Sequence, residues 1–126
     1  GEIPSTQVYE DDDTLVFMDI MPRADGHCLI IPKSPCRNVL DASPTQLNSV
    51  IATTQKIANA VMRAFDAQGV TIQQFNEAAG GQEVFHLHFH VLPRYENVKL
   101  RAPGQMEDSA VIAANAEKIR GALAEG

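Results

Sequence analysis

The chain has 126 residues, of which 44% are hydrophobic, and a formal net charge of −6 from 10 Lys and Arg against 16 Asp and Glu. This length and composition predict one compact domain over residues 1–126. The sequence holds no run of basic residues, so electrostatic binding to a nucleic-acid backbone is excluded, and an anionic ligand has to be held by local contacts.

Targeting signals and cysteine usage point to the cytoplasm. The sequence has neither a signal-like start nor a long uninterrupted apolar run, which argues against secretion and against a membrane partner. Cys28 and Cys36 lack CxxC spacing, and Cys28 lies within the apolar run HCLII, where a reduced, buried thiol is expected. The chain begins abruptly with GEIPS, and we expect a truncated N-terminus.

Three β-strands are predicted before the first helix. The β-rich runs at 6–10 and 14–20 are separated by an acidic turn at 11–13, which is a hairpin signal. The continuous apolar run at 27–32 follows Gly26 and is typical of a buried strand.

A long helix follows these strands. Ser43, Pro44 and Gln46 form a capping-box signature for its start, and Gly69 is placed to end it. Apolar and small residues recur at three- and four-residue spacing along it and predict one buried stripe. The stripe consists of Leu47, Val50, Ile51, Thr54, Ala58, Val61, Met62 and Phe65.

The second half of the chain adds two strands and a helix. A strand is predicted at 70–75, a glycine-containing loop at 76–83, a further strand at 84–93, a loose polar stretch at 94–107 and a helix at 109–124. The order of elements predicts an α+β domain, an antiparallel sheet covered on one face by the long helix.

The strand at 84–93 carries His86, His88 and His90 at every second position, and Pro93 is expected to end it. Successive side chains of a strand point to opposite faces, so the three imidazoles share one face. The apolar residues between them are expected to face the core. These residues are Phe85, Leu87, Phe89 and Val91.

Two kinds of chemistry fit such a histidine face. A His-x-His pair can bind Zn²⁺, but His86 and His90 lie roughly 13 Å apart along a strand, so at most two of the three could share a metal, with His27 as a further ligand. Alternatively, a neutral imidazole attacks a phosphoryl centre and forms a covalent intermediate. Gly80 and Gly81 would then let backbone N–H groups approach the phosphate. Both alternatives stay open at this point.

The segment HLHFHVL at 86–92 resembles the signature of the histidine triad (HIT) superfamily, in a bacterial-type member related to the Hint and fragile-histidine-triad branches. GEIPS at 1–5, VFMDI at 16–20, GHCLIIPK at 26–33 and NEAAGGQEVFHLHFHVLPR at 76–94 resemble family blocks in the family's order. The resemblance implies the HIT fold, with about five antiparallel strands, one long helix and a C-terminal helix, in a homodimer.

The resemblance also implies an activity. It is that of a nucleotide hydrolase or transferase acting at the α-phosphate of dinucleoside polyphosphates or nucleoside phosphoramidates through a covalent nucleotidyl-histidine intermediate. No cofactor is required for the chemistry, and a structural zinc is expected only if upstream cysteines exist. By position, His88 is the nucleophile, His90 contacts the phosphate and assists the leaving group, His86 supports the central ring, and His27 completes the polar surround.

The resemblance further implies contacts to a purine nucleotide such as AMP. Asp19 matches a ribose-hydroxyl acceptor, and Ile3, Phe17 and Ile20 match the walls of a base pocket, although without the resemblance plain core positions are the preferred explanation of these three apolar residues. The remaining residues match a phosphate loop. They are Asn76, Gly81, Gln82 and the backbone of Glu83 and Val84.

One position departs from the family pattern. Glu83 stands where the Hint phosphoramidases carry a serine, which puts a preference for phosphoramidates in doubt. Arg94 either meets the extra phosphates of a longer substrate or is a solvated arginine at the strand end. The departure at Glu83 keeps an alternative open, a purine-nucleotide binding or regulatory module with vestigial turnover.

Overall fold

The computed structural model describes residues 6–125, so Ile3 lies outside the described residues. Within this range the chain forms five β-strands and two α-helices, together with a 3₁₀ turn at Ala78–Gly80. In chain order they are β1 (Gln7–Glu10), β2 (Thr14–Met18), β3 (Cys28–Pro32), α1 (Pro44–Ala64), β4 (Gly69–Gln73), β5 (Phe89–Arg94) and α2 (Ser109–Ala124).

The five strands form one antiparallel sheet in the order β1-β2-β3-β5-β4. Side chains on the helix-covered face, such as Val16, Ile30 and Val91, are fully buried, and they form one core with α1 and α2. The opposite face carries Leu29 and His90, which are paired across β3 and β5. The predicted α+β architecture is confirmed, and its open face is where a site can form.

Helix α1 begins as predicted and ends earlier than predicted. The hydroxyl of Ser43 accepts a hydrogen bond from the Gln46 N–H at 3.1 Å, and the Gln46 side chain accepts one from the Ser43 N–H at 2.8 Å. The prediction that Gly69 ends the helix is wrong, because Asp66 already has a left-handed backbone (φ 48°) and Gly69 opens β4. Ile51, predicted to be buried, is 51% exposed.

The strand predicted at 84–93 is shorter than expected, and the prediction that Pro93 ends it is wrong, because Pro93 and Arg94 are both paired with β4. Strand β5 begins only at Phe89, because the His86 ring and the Leu87 N–H bind the carbonyls of Pro32 and Cys36 instead of joining the sheet. Phe85, predicted to face the core, is 45% exposed and lies under the guanidinium of Arg37, 4.2 Å from its ring centre. The other three apolar residues of the segment, Leu87, Phe89 and Val91, are buried as predicted.

The polar segment between β5 and α2, predicted to be loose, is tied to the loop that precedes β3. The Arg101 N–H donates to the Arg23 carbonyl at 2.8 Å, and the Glu107 N–H donates to the Ile20 carbonyl at 3.1 Å. We refer to residues 95–107 as the crossing segment.

Helix α2 follows the crossing segment and packs against α1 and β1. Asp108 caps its start, and the Asp108 carboxylate accepts from the Ala110 N–H at 2.7 Å. Neither helix of the described range is long and apolar enough to cross a membrane.

Candidate active site

A cleft of about 430 Å³ lies on the open face of the sheet and contains most of the predicted site residues. Its floor is the row formed by Leu29, His90 and Gln73, which are paired across β3, β5 and β4. Its walls come from three loops: the loop before β3, the loop before β5 and the crossing segment. The wall residues include Asp19, Met21, Arg23, His27, Phe75, Gly81, Gln82, Glu83, Val84, His88, Pro103 and Gly104.

A chain of hydrogen bonds determines which nitrogens of His27 and His90 carry protons. The Arg23 backbone N–H lies 3.1 Å from Nδ1 of His27 and can only donate, so Nδ1 accepts and the proton of the neutral ring is on Nε2. Nε2 of His27 lies 2.9 Å from Nδ1 of His90 and donates to it. The proton of a neutral His90 is therefore on Nε2, which is available to donate to a ligand.

His88 is held with the opposite tautomer. Its Nδ1 lies 2.7 Å from the carbonyl oxygen of His86, an acceptor, so Nδ1 carries the proton and Nε2 has the lone pair. The His86 ring donates from Nε2 to the Pro32 carbonyl at 3.1 Å, which anchors this peptide to the end of β3. His86 was expected to support the ring of His88. The His86 carbonyl provides this support, and the His86 imidazole fixes that carbonyl in place.

Burial keeps His27 and His90 neutral. Burial in the cleft, with smaller contributions from His27 and His88, lowers the pKa of His90 from 6.5 to about 4. Burial also lowers the pKa of His27, although the Asp19 carboxylate, with Oδ2 3.6 Å from Nε2, opposes this shift. At pH 7 both rings therefore act as neutral hydrogen-bond donors and not as imidazolium ions.

The side chains of Gln82 and Asn76 hold the loop before β5 together. Gln82 is buried, accepts from Asn38 Nδ2 and the Glu77 N–H at 2.9 and 2.8 Å, and donates to the carbonyls of Arg37 and Val84 at 2.8 and 3.0 Å. Asn76 accepts from the Val39 N–H at 2.9 Å and exchanges two hydrogen bonds with Gln74. A direct contact of either amide with a ligand would have to replace these bonds.

Two residues of the same loop line the cleft and have backbone N–H groups without an acceptor in the described part of the chain. Gly81 has φ +98°, and a Cβ there would lie 3.1 Å from the Phe75 ring, so the position requires glycine. Glu83 and Val84 follow and line the cleft, and their N–H groups have no acceptor within residues 6–125. These two N–H groups are the donors that a phosphate oxygen could use.

The remaining predicted contacts to the nucleotide are Asp19, Phe17 and Ile20. Asp19 lines the cleft, and its Oδ1 accepts from the Met21 N–H at 2.8 Å. Phe17 is half-buried and opposite Leu29, so it shares the open face two strands away from His90. Ile20 is half-buried and packs against the core. A base pocket formed by Phe17 and Ile20 stays a prediction.

Sequence reasoning missed the residues that support the loop from a distance. Arg37 binds the Glu77 carboxylate with two hydrogen bonds at 2.7 and 2.9 Å, and Asn38 donates to it at 2.7 Å. Glu77 has φ +65°, an uncommon backbone for a residue with a side chain. No local signal marks these residues, because 39 or 40 positions separate the partners.

Asp19, His27 and His90 are the one group of potential metal ligands found within the described residues, with one ligand atom each within 4.8 Å of one another. The tautomers argue against a metal there. Nδ1 of His27 accepts from Arg23, so a metal at Nε2 would displace the proton and leave a protonated Nδ1 facing the Arg23 N–H. In this arrangement the three side chains do not fit a metal ion.

The fold and the cleft define a small α+β domain that presents imidazoles of both tautomers beside free backbone N–H groups. The chain belongs to the HIT domain family, whose profile matches residues 1–97. The family relationship agrees with the resemblance found in the sequence and with the fold.

Three similar proteins illustrate the relationship. A Hit-like protein involved in cell-cycle regulation from Bartonella henselae, crystallised with an unknown ligand, is 53% identical, with a TM-score of 0.89 over 95% of this chain and 88% of that one. A hypothetical histidine triad nucleotide-binding protein from Sulfolobus tokodaii is 25% identical, with a TM-score of 0.90 over 98% and 86%. An adenylylsulfatase of Arabidopsis thaliana is 35% identical over 76% of this chain and 49% of its own length.

Proposed function

We propose that the protein is a nucleotide hydrolase or transferase that acts at the α-phosphate of nucleoside 5′-phosphoryl compounds through a covalent intermediate on His88. The names of a nucleotide-binding relative and of an adenylylsulfatase support a nucleotide substrate. The observation that carries the proposal is the tautomer of His88, whose Nδ1–H is held at 2.7 Å by the His86 carbonyl.

In the proposed reaction each group has a part that its hydrogen bonds support. Nε2 of His88 forms a bond to the α-phosphorus while the bond from phosphorus to the leaving group breaks, and the leaving group takes a proton from solvent water. The N–H groups of Glu83 and Val84 and Nε2–H of His90 donate to the phosphate oxygens. Water then adds to the phosphorus and releases a proton to the solvent, the bond to Nε2 of His88 breaks, and the nucleotide is released.

Rapid quenching followed by intact-protein mass spectrometry tests the proposal. Purified protein is mixed with adenosine 5′-phosphoramidate or with a diadenosine polyphosphate, and we expect an adduct of AMP mass on the wild type and none on His88→Ala. His86→Gln, which keeps a donor for the Pro32 carbonyl, serves as the matched control and should retain the adduct. Full turnover of both substrates by His88→Ala would contradict the covalent route.

The proposed chemistry uses no metal or cofactor. Exhaustive chelation should leave turnover unchanged, because the nucleophile and the phosphate donors are all side-chain or backbone groups. Loss of activity on chelation, with recovery on adding Zn²⁺, would instead favour a metal-dependent hydrolase that uses Asp19, His27 and His90.

A second candidate function is a purine-nucleotide binding module with vestigial turnover. Glu83 favours it, because its exposed carboxylate belongs to the cleft wall beside the free N–H groups and would repel a phosphate. Tight AMP binding with negligible hydrolysis would support this candidate. A Glu83→Ser variant that gained turnover would then identify the carboxylate as the cause.

We also propose that the protein pairs with a second copy of itself. Strand β4 is an edge strand of the described sheet, and Ile72, which is opposite Val91 on the helix-covered face, is 46% exposed. An exposed apolar side chain on an edge strand favours association with another copy. Light scattering after gel filtration should show a dimer that Ile72→Lys dissociates and that Leu40→Lys, in an exposed loop, leaves intact. A monomeric wild type would refute the pairing.

A further inference from the structure

A second cavity, of about 320 Å³, lies at the end of β5 between the loop before β3 and the crossing segment. Four of the ten cationic side chains of the chain line it, Arg23, Arg94, Lys99 and Arg101, with Asp25 as the acidic residue of the lining. Apolar side chains complete the walls, among them Phe65, Val98 and Leu100. We refer to this cavity as the cationic groove.

Most of the positive charge in the groove is not neutralised by the protein. Arg101 forms ion pairs with Asp25 at 2.7 Å and Glu107 at 3.5 Å. Within residues 6–125, Arg23, Arg94 and Lys99 form no ion pair. Concentrating cations in this way in a chain of net charge −6 produces a local attraction for anions.

The cationic groove adjoins the cleft. Arg23 lines both cavities, and its Nε donates to the Arg101 carbonyl at 2.8 Å, which holds the side chain between them. His90 and Arg94 are four residues apart on β5, so they point to the same face and lie about 13 Å apart. Leu92, between them on the same face, is fully buried, so a ligand bound at His90 would reach Arg94 and Lys99 by way of Arg23, which lines both cavities.

We propose that the cationic groove binds the leaving group of the substrate when that group carries several negative charges and an apolar part. The groove would then select such substrates over those that release a small neutral group. The inference rests on the proposed function, because it takes the cleft as the site of the α-phosphate. It gives Arg94 and Lys99 a role in specificity and assigns them no part in the chemical step.

Calorimetric titration with two probes tests the groove without any turnover. Inorganic tripolyphosphate reports on polyanion binding, and AMP reports on the cleft. The variants Lys99→Met and Arg94→Met each remove one groove cation. Lys33→Met removes the same charge at an exposed position that lines neither cavity and serves as the control.

We expect each groove variant to weaken tripolyphosphate binding about tenfold, the loss of one charge-assisted contact, and to change AMP binding less than about twofold. In kinetics, kcat/KM should fall for a diadenosine polyphosphate and stay constant for adenosine 5′-phosphoramidate. Unchanged tripolyphosphate binding in both groove variants, or an equal loss in Lys33→Met, would overturn the proposal. Failure of AMP to bind, with tripolyphosphate binding still lost in Lys99→Met, would count against the nucleotide function and leave the groove as an anion site.

Discussion

Replacing Gln82 with alanine is expected to destabilise the protein as a whole. The side chain makes four hydrogen bonds of 2.8–3.0 Å that join the loop before β5 to the segment around Arg37 and Asn38. At about 1 kcal/mol of net stabilisation per bond, and with water reaching part of the vacated space, the free energy of unfolding should fall by about 2–4 kcal/mol.

Urea denaturation followed by circular dichroism measures this loss. Gln68→Ala is the matched control, because Gln68 is exposed and accepts one bond, from the Glu96 N–H at 2.8 Å, so it should cost less than about 1 kcal/mol. AMP affinity should fall in the Gln82 variant because the N–H groups of Glu83 and Val84 lose their fixed positions.

The two possible roles of Gln82 give different results. If the side chain contacted the nucleotide directly, Gln82→Ala would weaken AMP binding and leave the free energy of unfolding unchanged. That result would refute the reasoning from the hydrogen bonds and support the ligand contact implied by the family resemblance.

Three further predictions follow from burial and backbone conformation. The pKa of His90 is lowered from 6.5 to about 4, so the unfolded chain binds more protons between these values. The free energy of unfolding should therefore fall as the pH falls from 6.5 towards 4. The urea midpoint of His90→Gln should decline less over this range than that of the wild type, and an equal decline would contradict the lowered pKa of His90. Gly26→Ala should lower the free energy of unfolding by about 2 kcal/mol, because φ is +91° and a Cβ would lie 2.5 Å from the Phe65 ring; an unchanged melting temperature would refute this. Burial raises the pKa of the Cys28 thiol to about 12, so iodoacetamide at pH 8 should label Cys36 alone in the native protein, and double labelling by mass spectrometry would show otherwise.

The sequence was sufficient for the elements whose signals are local. The capping box at Ser43 and Gln46 is a contact between residues three apart, and the alternation of Leu87, Phe89 and Val91 reports directly on which side chains are buried. The start of β5 was misplaced because alternation does not show whether a segment has a partner strand. Residues 84–88 have no neighbouring strand, and they bind instead to carbonyls at 32 and 36.

The site was predictable in its histidines and not in its supporting contacts. His86, His88 and His90 are visible as a motif, whereas the Arg23 amide, which determines the tautomers of His27 and His90, is a backbone group with no residue signature. Of the cationic groove, only Arg94 was considered from the sequence as a contact for extra phosphates. Its four cations are spread over residues 23–101, so no basic run appears in the sequence, and only folding brings them together.

The pairing of β3 with β5 has a consequence for how errors in folding affect the protein. His90 is opposite Leu29 on the open face, and Val91 is opposite Cys28 in the core. A slip of one residue between these strands would turn every side chain of β5 over, placing His90 among the apolar side chains and Val91 in the cleft. The free-energy cost of burying an imidazole without its hydrogen-bond partners therefore destabilises the slipped register. Stable folding therefore also places His90 in the cleft.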